Sequence, residues 1–482
     1  MKICRPIKKV LLVNPPLSGE ERYGELALGG VYMPPLGLAI LAAVLRKEGY
    51  EPIILDCEAL GLRWQKALDE ISSLEPDLVG ITAVTMAIYS AAELAGLIKQ
   101  HMNIPIVIGG VHITAMPEDT MLRFPCFDYG VYGEGEVTLP DLLMRLCNGS
   151  DMKGAPGILY RKDGSIVKNP QRPYIKNLDE IPFPAWDLLP NLTKYYKPSV
   201  FGFKRLPSMS IITSRGCSGK CTFCYHSLFG NLYRFHSAEY VVGMIQHLMQ
   251  KYGIRNIDIY DDTFAIARTR LQQFCRLIIK RELDIVWSAN SRVNLVNPEM
   301  LALMKRAGCW LISYGIETGD QRILDSFKKG ITLEQVTQAI RWSKEVGIKT
   351  RGFIMVGTMA ETKESIEKTH RFLLKLPLDL VTINHYTPFP GSEDYTRIRS
   401  FGTYVENWQK LNQHSNVFVP HGLTSEIIEN AITKMTRSFY LRPHILWHFL
   451  CLMMSPLHSF HLLKGAIAFI KFAFIRGTSK NN

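Results

Sequence analysis

Long apolar runs are missing from this chain. No stretch reaches the roughly 18–20 uninterrupted apolar residues that span a bilayer, although 47% of the 482 residues are hydrophobic. Basic residues outnumber acidic ones to give a net charge of +12. Yet no dense Lys/Arg run occurs, so nucleic acid is not the expected partner. A disulfide framework is also missing. Of ten cysteines, Cys4, Cys57, Cys126, Cys147, Cys275, Cys309 and Cys451 are scattered, as expected of a reducing cytosol and a cytoplasmic protein. The opening residues Met1–Lys9 are basic, but Val10–Val13 is too short for the core of a signal peptide. Charged residues make up only 21%, which leaves material for a large core divided over two or three domains.

What is present is an alternation of strand and helix patterns. Val10–Val13, Pro52–Leu55, Leu78–Ile81, Ile106–Ile108 and Tyr129–Val131 read as strands, with helical stretches such as Leu36–Arg46 between them. Such alternation predicts a parallel sheet covered on both faces, with ligands beyond the carboxyl ends of its strands. Those ends carry Asn14-Pro15-Pro16, Thr82-Ala83-Val84-Thr85, Gly109-Gly110-Val111-His112 and Tyr132-Gly133-Glu134-Gly135-Glu136. Gly109 and Gly110 would let a flat or bulky ligand approach the backbone. A hairpin is expected around Asp163-Gly164. The prolines of 178–186 forbid regular structure and mark a strap. From 208 to 400 a second series of six strand–helix units predicts a partial barrel, which keeps its chemistry at the strand carboxyl ends.

The first of those six strands runs into Cys217-Ser218-Gly219-Lys220-Cys221-Thr222-Phe223-Cys224. Three thiols at C-x3-C-x2-C spacing suit an iron–sulfur cluster with one iron left open. Zinc is the competing reading, and it would recruit His226 as a fourth ligand.

The Cys217, Cys221 and Cys224 spacing, with aromatic Phe223 before the third thiol, resembles the signature of the radical S-adenosylmethionine enzymes. The first 150 residues, with Met33-Pro34-Pro35-Leu36-Gly37 and the loops just quoted, resemble the cobalamin-binding domain that precedes many of them. The resemblance implies a flavodoxin-like (Rossmann-type) α/β domain at 1–150, a connector at 151–207, a partial (β/α)6 barrel at 208–400 and a helical region at 401–482. It implies a 4Fe–4S cluster on the three cysteines, with S-adenosylmethionine chelating the open iron. Phe223 and Tyr225 then lie at the adenine, Asp261 and Asp262 at the methionyl amino group, and Arg292 at its carboxylate. Glu317, in Gly315-Ile316-Glu317-Thr318, would serve the ribose. Gly352 and Gly357 would serve the adenine side, with Glu361 in place of the usual acid. Cobalamin contacts are implied at Pro16, Leu36, Gly37, Thr82, Thr85, Gly109, Gly110, His112 and Glu134. The loop 14–34 lacks the His that often ligates cobalt, so cobalamin is expected base-off.

The pairing of these cofactors implies methyl transfer to an unactivated carbon. Relatives of the magnesium-protoporphyrin ester cyclase and hopanoid methylase kind leave cyclisation or rearrangement open. A sensor or carrier with a structural cluster is the reading of another class. An electron donor such as flavodoxin or ferredoxin is implied. A helix is expected from 424, capped by Thr424 or Ser425. Beyond it, 445–454 and 462–475 are apolar, and from Ala431 to Asn482 no Asp or Glu occurs. Trp and Phe with basic flanks suit a helix lying on an anionic membrane face, and hence a hydrophobic small-molecule or lipid substrate. Packing of these helices on the barrel is the alternative.

Overall fold

The computed structural model describes residues 7–24, 27, 30–198, 202–226 and 228–447. It divides into two compact units, one mainly of residues 32–196 with the N-terminus, the other mainly of 197–447 with 19–31.

The first unit is built on a seven-stranded sheet in the order β2-β1-β3-β4-β5-β6-β7. Its parallel strands are β1 (Lys9–Asn14), β2 (Glu51–Asp56), β3 (Leu78–Thr82), β4 (Ile106–Gly109) and β5 (Tyr129–Val131). Val10–Val13 are sealed on both faces, which is why β1 is continuously apolar rather than alternating. The five expected strands are all present. The sheet is nonetheless mixed, because β6 (Ile158–Lys162) pairs antiparallel with β5, and β7 (Ser165–Lys168) with β6. The turn between these two has positive φ at both Asp163 and Gly164, the combination that a two-residue hairpin turn needs. A segment read as connector thus completes the sheet.

The proline-rich strap also folds onto this unit. It forms two short 3-10 turns, Leu178–Glu180 and Trp186–Leu188. Leu178 and Ile181 pack with Val44 of the helix Leu36–Lys47, and the Ala185 N–H donates to the Ala39 carbonyl at 2.9 Å. Prolines deny the strap regular structure, but its apolar residues still bury.

In the second unit, β8 (Ser208–Ile211) leads to the short pair β9 (Ser214–Arg215) and β10 (Arg234–Phe235). Then follow β11 (Asn256–Ile259), β12 (Val286–Ser291), β13 (Cys309–Glu317), β14 (Lys349–Val356) and β15 (Leu380–His385). β8 and β11–β15 form one all-parallel sheet in the order β15-β14-β13-β12-β11-β8. Six strands fall short of the eight that close a barrel. The outer face is packed under helices: Ile257, Ile259, Trp287, Ile312, Tyr314 and Ile354 are buried. The far edge is covered by the helix Ser425–Tyr440, whose N-cap is Thr424. There the Tyr440 hydroxyl donates to the Val381 carbonyl at 2.7 Å, which protects an otherwise open strand edge. A further antiparallel pair, β16 (Gly402–Tyr404) and β17 (Phe418–Pro420), closes the region after β15.

Among the described residues, no helix is long and apolar enough to cross a membrane. The apolar tail lies outside the described residues from 448 onward.

Candidate functional site

The cysteine loop leaves β9 through Gly216, which has φ 83°. Asp261, at the end of β11, holds the approach to it. Its carboxylate accepts from Thr213 N and Oγ1 at 2.6 and 2.6 Å and from Ser214 N and Oγ at 3.0 and 2.6 Å. Arg270 adds bonds from Nη2 to the Thr213 carbonyl at 3.0 Å and to Thr213 Oγ1 at 2.6 Å. Both oxygens of Asp261 are therefore spent on the backbone turn, and the residue is buried. This corrects the expectation that Asp261 faces an amino group. Its neighbour Asp262 is exposed and accepts from the Gly216 N–H. Desolvation by the neighbouring protein, and secondarily the charge of Asp261, pushes the Asp262 carboxyl upward.

The thiols of Cys217, Cys221 and Cys224 are free. Burial, then Asp262, Cys221 and Cys217, push the Cys224 thiol up to about 12, and Lys329 partly offsets this. The three sulfurs thus lie within electrostatic reach of one another. Arg292 Nη1 approaches Cys221 Sγ at 3.5 Å. A Cβ on Gly219 would lie 3.0 Å from that nitrogen and 3.4 Å from Cys217 Sγ, so the glycine is what admits the guanidinium. Among the described residues, no three His, Cys, Asp or Glu side chains converge to hold a single metal ion. His226, the fourth ligand a zinc site would need, instead contacts the Cys221 carbonyl through Nε2 at 3.0 Å. Three thiols on one loop, each free to take a separate iron, fit a cluster better than one tetrahedral ion.

Phe223 packs edge-on against Phe327, with ring centroids 5.0 Å apart. Tyr225 lies against Gly391. Arg292 also binds the Lys329 carbonyl through Nη2. Glu317 ends β13 with φ 67°, beside a register shift against β14. Such bulges re-aim a side chain, and here Glu317 Oε1 meets Lys329 Nζ at 2.5 Å. Lys329 was not singled out by the sequence, being one lysine among many and twelve positions from its partner. At Gly352 a Cβ would strike Ile316 and Leu378 at 2.7 and 2.9 Å, on the helix-packed side, so packing already requires a glycine there. Gly357, with φ 89°, opens a turn held by Glu361, whose Oε2 accepts from Gly357 N and Thr358 N at 2.6 and 3.0 Å. Burial pushes the Glu361 carboxyl up to about 7.

The concave face of the six strands is mixed, with a polar set beside Leu311, Phe353 and Met355, where barrel interiors are usually aliphatic. It carries Asp258, Ser288, Asn290, Ser313 and Arg351 in matched register. Ser288 Oγ donates to Asp258 Oδ1 at 2.7 Å. Burial pushes the Asp258 carboxyl up to about 6, with Ser288 and Arg351 opposing.

In the first unit, Thr82 and Gly109 are paired at the carboxyl ends of β3 and β4. A Cβ on Gly37 would meet nothing within 4 Å, and one on Gly109 only the Val131 carbonyl at 3.9 Å. Both leave room for a flat ligand. Gly110, with φ 99°, is fixed by its own surroundings: a Cβ would lie 2.7 Å from Thr82 Oγ1. Pro16 accepts at its carbonyl from Ser90 Oγ, and Leu36 and Thr85 are buried. Two expectations are corrected. His112 is fully buried and desolvation lowers it to about 4, so it is a neutral core residue. Glu134 is buried, and its Oε2 accepts from the Ile175 N–H at 2.7 Å, which anchors the segment just before the strap.

Two family models match the chain: the B12 binding domain over residues 26–143 and the radical SAM superfamily over residues 211–373. An uncharacterized methyltransferase of Pyrococcus horikoshii is 38% identical over 91% of this chain and 94% of its own length. The anaerobic magnesium-protoporphyrin IX monomethyl ester cyclase of Rubrivivax gelatinosus is 30% identical over 89% of this chain and 77% of its own. Among solved structures, the radical S-adenosylmethionine methyltransferase TsrM from Kitasatospora setae, with cobalamin and a 4Fe–4S cluster bound, superposes with a TM-score of 0.72. It covers 95% of this chain and 98% of that one at 19% identity, a likeness of fold.

Proposed function

This chain belongs to the radical S-adenosylmethionine superfamily, in the branch that carries a B12-binding domain, and from that premise we propose that it methylates an unactivated carbon of a small-molecule metabolite. The observation that carries the reading is the gathering of Cys217, Cys221, Cys224, Asp262 and Arg292 at the carboxyl ends of parallel strands, on a chain that also has the cobalamin domain. When bound, the cluster and S-adenosylmethionine supply one-electron chemistry, and cobalamin supplies a carried methyl group.

The protein's part is placement. Cys217, Cys221 and Cys224 would each hold one iron. Asp262 would accept from the methionyl ammonium through charge-assisted bonds, with Arg292 as counter-charge to the carboxylate. Phe223 and the turn at Gly357 would flank the adenine. Gly37, Thr82 and Gly109 would form the cobalamin platform. The polar set on the concave face, Asp258, Ser288, Asn290, Ser313 and Arg351, would suit a substrate whose inserted end carries hydrogen-bonding groups. Its remainder is apolar, as befits a chain related to tetrapyrrole enzymes.

Anaerobic protein with reconstituted cluster, cobalamin, reductant and S-adenosylmethionine should release 5′-deoxyadenosine together with S-adenosylhomocysteine. 5′-Deoxyadenosine alone would favour the cyclase reading, for which the 30% identity to the Rubrivivax enzyme speaks. Neither product would refute both. A flavodoxin or ferredoxin is the natural electron source. The basic, apolar tail is read as a peripheral contact with anionic membrane. Equal liposome binding with and without residues 440–482 would end that part of the proposal.

A further inference from the structure

The geometry points to Lys329 as the residue that positions the S-adenosylmethionine site, by holding the carboxylate of Glu317 beside the Phe223 ring of the cysteine loop; this rests on the reading just given. Lys329 is delivered by a helix end. The helix Gln321–Ser326 stops in a Schellman turn, with Lys328 N–H donating to the Asp325 carbonyl at 2.9 Å and Lys329 N–H to the Leu324 carbonyl at 3.1 Å. Lys328 takes φ 53° and Gly330 φ 65°. These two reversals turn Lys329 inward while Lys328 stays outside, paired with Glu393.

Once inside, Lys329 is 7% exposed and reaches Glu317, itself 7% exposed, at 2.5 Å. Its Nζ stands 5.6 Å from the centre of the Phe223 ring, within cation–π range. Its backbone carbonyl is held by Arg292, the guanidinium that also touches Cys221. The adjoining Phe327 carbonyl accepts from the Thr222 N–H at 3.0 Å, inside the cysteine motif. One short segment therefore meets three groups read as cofactor contacts, Glu317, Phe223 and Arg292, and the backbone of the cysteine motif besides. Gly315 is part of the device: a Cβ there would lie 2.7 Å from Lys329 Nζ and would run into Glu317 Oε1. A buried ammonium is costly unless paired, and an isolated Glu317 would be too. The pair holds both in place, and a ligand hydroxyl would find a carboxylate already aimed.

The experiment uses full-length protein with reconstituted cluster. Binding of S-adenosylmethionine is read from the change it causes in the electron paramagnetic resonance spectrum of the reduced cluster, beside iron content and melting temperature. K329M should keep its iron while the Kd for S-adenosylmethionine rises by about tenfold or more, tenfold being about 1.4 kcal/mol. K329R, which keeps the charge, should recover part of the loss. G315A, which crowds the pair without removing either charge, should weaken binding in the same direction. K329M with full iron and a Kd within twofold of wild type overturns the proposal. Should K329M fail to fold or to hold iron, a G315A Kd within twofold of wild type overturns it instead. A wild-type cluster whose spectrum ignores S-adenosylmethionine overturns the functional reading itself, and this proposal with it.

Discussion

Asp261 and Asp262 are neighbours of identical chemistry in opposite settings, the first buried and bonded to the turn, the second exposed. Replacing Asp261 by Ala removes the acceptor of two backbone N–H groups and two hydroxyls. The hydroxyls of Thr213 and Ser214 can turn to other partners, but the two N–H groups cannot. Hydrogen bonds to a charged acceptor are worth about 1.5–3 kcal/mol each. Relief of the carboxylate's own desolvation offsets part of this, leaving a loss of about 3 kcal/mol, in the range expected for a broken buried network. At about 2–4 °C per kcal/mol for a domain of this size, the apparent Tm of the second unit should fall by about 6–12 °C. The turn into Cys217 loosens with it, so iron content after anaerobic reconstitution should fall as well. Asp262→Ala removes an exposed carboxylate. It should change stability by less than about 0.5 kcal/mol and leave iron content intact, while weakening S-adenosylmethionine binding. Scanning calorimetry, iron analysis and cofactor titration on the two variants decide the matter. Equal Tm values for D261A and D262A, or a D261A protein with wild-type melting and full iron, would refute the division of labour drawn here.

Three further expectations follow the same logic. The carboxyl of Glu361 is raised from 4.5 to about 7 in the fold, so between those values the folded chain binds more protons than the unfolded one and stability falls as pH rises. Glu361→Gln, which mimics the protonated form, should flatten the Tm profile between pH 5 and 8; an unchanged slope in E361Q counts against the assignment. Gly391 has φ 88°, and a Cβ there would run into the Tyr225 ring. Gly391→Ala should therefore cost about 1–2 kcal/mol in backbone strain and displace Tyr225, measurable as lower denaturation midpoint and weaker S-adenosylmethionine binding. Glu134→Ala, which frees the Ile175 N–H, should lower stability by about 1–3 kcal/mol yet leave cobalamin binding unchanged in a spectroscopic titration. A selective loss of cobalamin would restore Glu134 as a ligand contact.

Much of this protein is determined by local pattern. Strands such as Val10–Val13 and Ile106–Ile108 are short apolar runs between breakers, and alternation with helices leaves a parallel sheet as the economical way to bury them. The cysteine spacing works in the same way, since ligands four and three residues apart must share one loop. Thr424 caps its helix for a reason confined to three residues. What the tertiary structure alone decided depends on partners distant in the chain. Thr213 lies 48 residues from Asp261, and this distance is why two adjacent aspartates could not be told apart by reading them. His112 and Glu134 follow strand ends that suit a ligand, but burial and the Ile175 N–H claim them first. Lys329 comes to Glu317 because one helix ends in two residues of positive φ beside a bulged strand. Local propensity is written residue by residue; the pairing of charges across a fold is settled only when the backbone closes.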